Sequence, residues 1–206
     1  MSLWELSAGE LLERAASGDP TPGGGSVAAI AGALGLGLVC MALEVSARRA
    51  DAKPGVGALL LRSHDLLTAL KMHPDADVAA FQNYMAALEL PKADADQKAR
   101  RREAVQQAAH AATAAPLAAA RDLLSGLGLA QQAAQLAHRS IVSDVGAGAH
   151  LLWAALQATL LNVDINLGNL PSEAREAAQI ERSELARHGL TLAEQFTQAV
   201  SGRLGA

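Results

Sequence analysis

The chain has 206 residues, of which 50% are hydrophobic, 47 are alanine and 2% are aromatic, and its formal net charge is −4. So few aromatic side chains exclude a β-sandwich or β-barrel. The single cysteine, Cys40, excludes a disulfide scaffold. The sequence has no basic stripe with stacking aromatics, which argues against a nucleic-acid partner. The hydrophobic content suffices to bury a core, which excludes a disordered chain. Because alanine and leucine favour helices, we expect an all-α protein with one domain over residues 1–206.

Hydrophobic periodicity and helix-breaking residues predict a bundle of about eight or nine helices. The first is a short amphipathic helix from Ser7 to Ala16, and the second is a long apolar helix from about Ser26 to Arg49. The others, in chain order, are Val56 to about Met72, Asp77 to Leu90 after a break at Pro74, Asp94 to about Ser125 with a kink at Pro116, a short helix that follows Gly126 and Gly128 and ends near His138, Asp144 to about Leu167, Pro171 to about His188, and a last helix capped by Thr191.

Two segments without charged residues are long enough to cross a membrane, Pro20 to Leu43 and Val145 to Val163. Their Ala- and Gly-rich composition, without a Lys/Arg asymmetry around them, favours central helices of a bundle over membrane spans. One chain of this length would have difficulty covering both helices, so we expect a homodimer and no membrane partner. The N-terminus lacks a basic region followed by an apolar stretch, so we expect no secretory signal and a cytoplasmic location.

The segment Pro20–Ser26 contains three consecutive glycines directly before the first apolar helix. Gly23, Gly24 and Gly25 would let the backbone approach a ligand, and the amides at a helix N-terminus offer unpaired donors to it. The alternative is a tight turn followed by Ser26 as an N-cap. The residues alone favour neither interpretation.

Two aspartates are candidates for acid–base chemistry. Asp144 opens the second apolar helix, where it is either an N-cap or a buried acid or base. Asp77 shares a helix face with Phe81, and Lys92 lies in the connector that follows, where an anion could reach it. The alternative for this segment is a capping aspartate and a solvated lysine.

Two asparagines near the end of the second apolar helix stand on one face. Asn162 and Asn166 are at positions i and i+4, and Asp164 points the other way. Their amides bind either a polar ligand or the protein itself. The histidines lack metal-ligand spacing and Cys40 has no partner in sequence, so we expect no metal site.

Together these segments resemble the cyclodeaminase/cyclohydrolase family of folate enzymes. The matching stretches are Pro20 to Ala29, Asp77 to Phe81 with Leu90 to Lys92, Ser143 to Gly148, and Asn162 to Leu167. The resemblance implies an all-helical homodimer that binds a tetrahydrofolate derivative as its substrate, with no separate cofactor. It implies either cyclisation of 5-formiminotetrahydrofolate with release of ammonia, or hydrolysis of 5,10-methenyltetrahydrofolate to 10-formyltetrahydrofolate.

On this resemblance we expect acid–base catalysis by Asp144, with Asp77 as the second candidate. The substrate would be held by the glycine segment, by the two asparagines and by cations that meet its glutamate carboxylates. These residues are Gly23, Gly24, Gly25, Ser26, Asn162, Asn166, Lys92, Arg48 and Arg49. Asp164 stands where family members commonly carry a basic residue, so the alternative is a non-catalytic helical dimer that binds folate or serves assembly.

Overall fold

The computed structural model describes residues 1–205, and this part of the chain forms helices and no β-strand. Seven α-helices follow one another: α1 (Ala8–Ala15), α2 (Gly24–Ala47), α3 (Val56–Leu70), α4 (His73–Glu89), α5 (Ala95–Leu136), α6 (Val142–Leu167) and α7 (Ser172–Leu204). Two short 3₁₀ helices, Leu3–Glu5 and Arg139–Ile141, precede α1 and α6. The all-α class is confirmed.

The prediction of eight or nine helices is wrong, because two predicted pairs of helices are each one continuous helix. The first case is α5, which runs over 42 residues through Pro116, Gly126 and Gly128. Gly126 does not end the helix but brings it close to α6, since a Cβ there would lie 2.9 Å from the Leu152 Cδ2 atom. Glycine lowers helix propensity by about 1 kcal/mol relative to alanine, and the packing against α6 outweighs this local cost.

The second case is α7, which runs over 33 residues through Gly189. A Cβ on Gly189 would lie 2.5 Å from the Leu156 Cδ2 atom and 2.8 Å from the Trp153 ring, so this glycine also serves close packing on α6. Thr191 does not cap a new helix. Its hydroxyl instead donates to the carbonyl of Arg187 within the same helix, across 3.2 Å.

Two predicted helix starts also differ from the structure. α4 begins at His73 because Pro74 fits the first turn of a helix, where no intrahelical N–H bond is needed. α6 begins at Val142 directly after a 3₁₀ turn, and its N-cap is Ile141, without a side-chain hydrogen bond. Asp144 is therefore not the N-cap of α6.

α2 and α6 lie side by side in the centre of the bundle, and their backbones approach closely at two glycines. A Cβ on Gly35 would lie 2.7 Å from the Gly148 carbonyl oxygen, and a Cβ on Gly148 would overlap the Gly35 carbonyl. Gly24 faces Asn162 further along, so the two helices run antiparallel. The core around this contact includes Leu36, Leu43, Leu152, Leu156 and Leu160, each at most 1% exposed.

α2 is the helix within residues 1–205 that is long and apolar enough to cross a membrane, judged by length and composition. In its most apolar stretch, 67% of the residues are buried inside the fold. This burial is typical of the central helix of a bundle.

One side of α2 and α6 stays uncovered in the single chain. We call it the apolar face, and its residues are Val27, Leu34, Met41 and Val45 of α2 with Leu151, Leu161 and Ile165 of α6. These side chains are between 36% and 76% exposed. As expected from the sequence, a single chain therefore leaves the apolar face of both central helices uncovered.

The backbone contact between α2 and α6 predicts a large cost for a single methyl group. Gly148→Ala should lower the free energy of unfolding by about 1–3 kcal/mol, because the Gly35 carbonyl cannot move aside as a flexible side chain would. Gly128→Ala is the matched control, since nothing lies within 4 Å of a Cβ at that position. It should leave stability unchanged or raise it by up to about 1 kcal/mol. Chemical denaturation measures both values, and equal losses would contradict the role of the contact.

Candidate functional site

A cavity of about 330 Å³ lies at the N-terminal end of α2, between α4, the middle of α5 and the C-terminal half of α6. Six residues singled out from the sequence line it: Gly23, Gly24, Gly25, Asp77, Asn162 and Asn166. They come from three segments that are distant in the chain. The fold therefore brings three of the four predicted segments to one place.

The glycine segment supplies free donors and allows a close approach of α4. Gly23 is the N-cap of α2 and makes no side-chain capping bond, so the next three amides have no acceptor within the helix. Ser26 lies inside the helix, and its predicted alternative role as the N-cap is wrong. A Cβ on Gly25 would overlap the Asp77 carboxyl group, whose Cγ atom lies 2.7 Å away. Only glycine at this position lets the carboxylate reach the end of α2.

Asp77 is held in place by a buried serine. The Ser26 hydroxyl donates to Asp77 Oδ2 across 2.6 Å, and Ser26 is 0% exposed. Asp77 is not a helix cap, because the N-cap of α4 is Met72. Within residues 1–205, Oδ1 of Asp77 accepts no hydrogen bond. One carboxylate oxygen is thus fixed, and the other is available for proton exchange with a ligand.

The two asparagine amides are anchored through their nitrogen atoms. Asn162 Nδ2 donates to the Ala158 carbonyl across 3.0 Å. Asn166 Nδ2 donates to the carbonyls of Ala112 and Asn162, both at 2.9 Å. In the described part of the chain, neither side-chain oxygen accepts a hydrogen bond. Both oxygens are therefore free acceptors at the cavity wall.

Pro116 explains why the Ala112 carbonyl is available to Asn166. In an α-helix that carbonyl would accept the N–H of the residue four positions later, which here is Pro116. Proline has no N–H, so the carbonyl needs another donor, and Asn166 Nδ2 supplies it. The proline inside α5 thus creates an anchor for a residue of the cavity.

The remaining wall is apolar and was largely missed in the sequence. Phe81, Tyr84 and Met85 of α4 and Ile165 of α6 line the cavity. Ile165 is 76% exposed, so the cavity opens towards the apolar face. Tyr84 and Met85 lie three and four positions after Phe81, and that helical spacing from a suspected site residue is the signal that could have identified them.

Three residues proposed for the site lie far from it in the single chain. Asp144 is 18 positions before Asn162 on α6, which corresponds to about 27 Å along the helix. Arg48 and Arg49 follow the opposite end of α2, where they pair with Glu44 at 3.3 Å and with Asp51 at 2.9 Å. Within one chain, Asp77 is the carboxylate that reaches the cavity.

Asp164 and Lys92 also lie outside the cavity. Asp164 receives two hydrogen bonds from the Arg182 guanidinium, at 2.8 and 2.7 Å. It therefore binds α7, and its negative charge is paired at the surface. Lys92 lines a separate hollow next to the cavity.

Other reactive groups do not converge on this place. Cys40 is buried in the core, and loss of solvent raises the pKa of its thiol to about 11, so it stays protonated near neutral pH. Within residues 1–205, no group of three or more His, Cys, Asp or Glu side chains is placed to hold a metal ion. A metal-free site stays a prediction.

Comparisons with known proteins identify the family of the chain. A family model described as formiminotransferase-cyclodeaminase matches residues 7–184. The methenyltetrahydrofolate cyclohydrolase of Methylorubrum extorquens is 32% identical over 198 residues, which cover 94% of this chain and 95% of that protein. The formimidoyltransferase-cyclodeaminase of Gallus gallus is 34% identical over 158 residues, which cover 74% of this chain and 29% of that protein.

The fold has a solved counterpart. The crystal structure of a formiminotetrahydrofolate cyclodeaminase from Thermotoga maritima matches with a TM-score of 0.85 over 98% of each chain, at 21% sequence identity. That likeness concerns the fold. The family rests on the match to residues 7–184 and on the 32% identity over nearly the whole bacterial relative. By these two matches the chain belongs to the formiminotransferase-cyclodeaminase family.

Proposed function

We propose that the protein hydrolyses 5,10-methenyltetrahydrofolate to 10-formyltetrahydrofolate in the cavity at the start of α2. The observation that carries this proposal is Asp77, fixed by Ser26 and placed beside the free amides at the start of α2. The choice of substrate is supported by the relative that matches this chain over nearly its full length, which is named a methenyltetrahydrofolate cyclohydrolase. Cyclisation of 5-formiminotetrahydrofolate is the second candidate, favoured by the similarity to formimidoyltransferase-cyclodeaminases.

The reaction needs proton transfer at one carbon. Water attacks the amidinium carbon between N5 and N10, and Asp77 takes one proton from it as the C–O bond forms. The bond from that carbon to N5 then breaks, and Asp77 returns the proton to N5. The second proton of the water leaves to solvent as the formyl C=O forms. A carboxylate placed in this way contributes about 10²–10⁴-fold to the rate.

The other residues of the cavity would bind and orient the substrate. The free amides of the α2 N-terminus would donate to acceptor atoms of the pterin. The oxygens of Asn162 and Asn166 would accept from its N–H groups. Phe81 and Tyr84 would cover the flat ring systems, since apolar and aromatic walls with a few convergent polar groups are typical of small-molecule sites.

We further propose that the protein is a homodimer formed through the apolar face. Uncovered apolar residues on two adjacent helices fit a second copy of the same surface. Val27 and Met41 lie seven positions before and after Leu34, so the face is evenly spaced about its centre. A two-fold axis near Leu34, at right angles to α2, would pair the two helices in opposite directions.

Such a dimer would bring the distant predicted residues back to the site. With α2 and α6 reversed in the second copy, Arg48 of the partner subunit would face the glycine segment. Asp144 of the partner subunit would face the C-terminal half of α6. The catalytic assignment to Asp144 would then depend on a contribution across the interface, near the cavity that holds Asp77.

The acid–base role of Asp77 predicts a large loss of rate with a small loss of binding. Asp77→Asn should lower the rate constant kcat for methenyltetrahydrofolate by about 10²–10⁴-fold, measured as the loss of its near-ultraviolet absorbance. Calorimetry should show that the folate still binds. Asp164→Asn is the control, because Asp164 pairs with Arg182 outside the cavity. An Asp77→Asn variant with full turnover would refute the acid–base assignment.

The second candidate reaction has its own measurement, which is the release of ammonia from 5-formiminotetrahydrofolate by the natural sequence.

The anchor at Pro116 predicts an unusual variant that gains helix stability and loses activity. In Pro116→Ala, the new N–H would bond to the Ala112 carbonyl and compete with the Asn166 amide. Stability should stay equal or rise, since alanine is favoured over proline by up to about 3 kcal/mol in a helix interior. The rate should fall by about tenfold because Asn166 is no longer fixed. Asn166→Ala should give a similar loss, and losses that multiply in the double variant would contradict a shared anchor.

The dimer predicts the mass of the protein in solution. Light scattering coupled to size exclusion should give about twice the 21.2 kDa of one chain. Leu34→Glu places a charge in the centre of the apolar face and should yield the monomer with reduced activity, because buried unpaired charges are costly. Leu61→Glu is the control, as Leu61 is 68% exposed on α3 outside this face. A monomeric natural sequence would refute the dimer.

A further inference from the structure

α4 carries Asp77, but burial in the core does little to fix where this helix lies. Of its 17 residues, two are buried, Pro74 and Ala87. The far end of α4 is held by a polar contact, since the Arg101 side chain donates twice to the Leu88 carbonyl, at 3.2 and 2.9 Å. A helix with so few buried apolar contacts opens easily, so its start depends on polar contacts as well.

A second face of α4, away from the candidate site, is also loosely covered. A hollow of about 500 Å³ lies there, and we call it the rear hollow. Val78, Ala79 and Gln82 line the rear hollow, whereas Asp77 and Phe81 of the same helix line the cavity of the candidate site. α4 thus separates two cavities, and little packed protein lies behind Asp77 to hold it in place.

A short segment of chain borders the rear hollow and is tied to the start of α4. We call it the strap, and its residues are Ser2, Leu3 and Trp4. The Ser2 hydroxyl donates to Asp75 Oδ2 across 2.5 Å, and the Leu3 N–H donates to Asp75 Oδ1 across 2.8 Å. The indole N–H of Trp4 donates to the carbonyl of Lys71, between α3 and α4, across 2.7 Å.

The strap is itself fixed, so it offers α4 a firm point of attachment. Leu3 is buried, and Trp4 packs against the core. Ser2 and Glu5 form a capping box around the 3₁₀ helix that begins at Leu3. Both carboxylate oxygens of Asp75 therefore bind a segment that is anchored independently of α4.

We propose that the strap positions the carboxylate that transfers the proton. Asp75 is a positioning residue, through which Ser2 and Leu3 hold Asp77 against Ser26. This inference rests on the proposed function, in which Asp77 is the acid–base residue. Asp75 and Asp77 are two positions apart, about 3 Å along the helix, so the tether lies within one turn of the carboxylate that it places.

Loss of the tether should lower the rate more than the binding. Asp75→Ala should lower kcat for methenyltetrahydrofolate by about tenfold, because a misplacement of about 1 Å can cost about 10²-fold. The KM should change by about twofold or less, since Arg101 still holds the end of α4 that carries Tyr84 and Met85. Gln82→Ala is the control, because Gln82 lines the rear hollow from the same helix without bonding to the strap. Equal losses of kcat in both variants would overturn the proposal.

Two milder variants separate the tether from the charge and from the fold. Asp75→Asn keeps an acceptor for the Leu3 N–H, and its Nδ2 can donate to the Ser2 hydroxyl oxygen. It should therefore retain kcat to within about threefold. Trp4→Phe removes the indole N–H while a ring stays in the core, and should lower kcat by about twofold to threefold. If Asp75→Asn lost as much rate as Asp75→Ala, the charge of Asp75 would act in place of the tether, and the proposal would fail.

A double variant shows whether the tether acts through Asp77. In the Asp77→Asn background, Asp75→Ala should lower the residual rate by about twofold or less, because the group that the tether positions is already absent. The residual rate is followed at high enzyme concentration. A further tenfold loss would mean that Asp75 acts by another route, which contradicts the positioning role.

Amide hydrogen exchange separates this inference from the proposed function. Asp75→Ala should speed exchange at residues 77–80 of α4 by about tenfold, with no change in the buried part of α6, whereas Gln82→Ala should leave both unchanged. If this result is obtained with a protein that does not turn over methenyltetrahydrofolate, the proposed reaction fails while the strap stands as the support of α4. If the protein turns over its substrate and exchange at residues 77–80 is the same in Asp75→Ala as in the natural sequence, the positioning role is overturned.

Discussion

α2 and α6 meet backbone to backbone where Gly35 contacts Gly148, and this contact determines where the candidate site forms. It fixes the antiparallel register that places Gly24 beside Asn162. Side chains larger than hydrogen at the contact would push the helices apart by the width of a methyl group. The start of α2 would then move away from the asparagines, because packed interiors transmit such shifts instead of absorbing them. The small residues of the core thus set the geometry of the site.

Two residues that disfavour helix formation, Gly25 and Pro116, position side chains of the cavity. Gly25 lowers helix propensity, yet its missing side chain admits the Asp77 carboxylate to the end of α2. Pro116 removes a helix hydrogen bond, and the freed carbonyl orients Asn166. A lost hydrogen bond costs about 0.5–1.5 kcal/mol. The Asn166 amide offsets much of this cost, because the carbonyl is paired again and the amide nitrogen is satisfied at the same time.

The sequence predicted the parts of the site that depend on short-range spacing. The glycine segment, Asp77 and the pair of Asn162 and Asn166 each stand out within a few residues of chain, and the cavity contains them all. The helix count was not predictable in this way, because the packing of Gly126 and Gly189 against α6 overrides their local tendency to end a helix.

The position of Asp144 relative to the cavity could not be predicted from the sequence either. The family resemblance identified Asp144 by its motif. In the structure, this carboxylate lies about 27 Å along α6 from the asparagines of the cavity. A motif contains no information on which end of a helix, or which copy of a chain, supplies a residue. Most of the apolar wall was missed for a related reason, since its members are ordinary helix-surface residues that only the tertiary arrangement brings together.

The charge of Asp77 favours one orientation of the proposed substrate. Methenyltetrahydrofolate is positive at the amidinium carbon and negative at its glutamate end. With the amidinium beside Asp77, the positive end of the substrate would meet the opposite charge. Reversal would place a carboxylate of the substrate against Asp77. One such like-charge pair costs about 4 kcal/mol at 4 Å with an effective dielectric constant of about 20. The carboxylate proposed for proton transfer would therefore also favour the orientation in which the reacting carbon lies beside it.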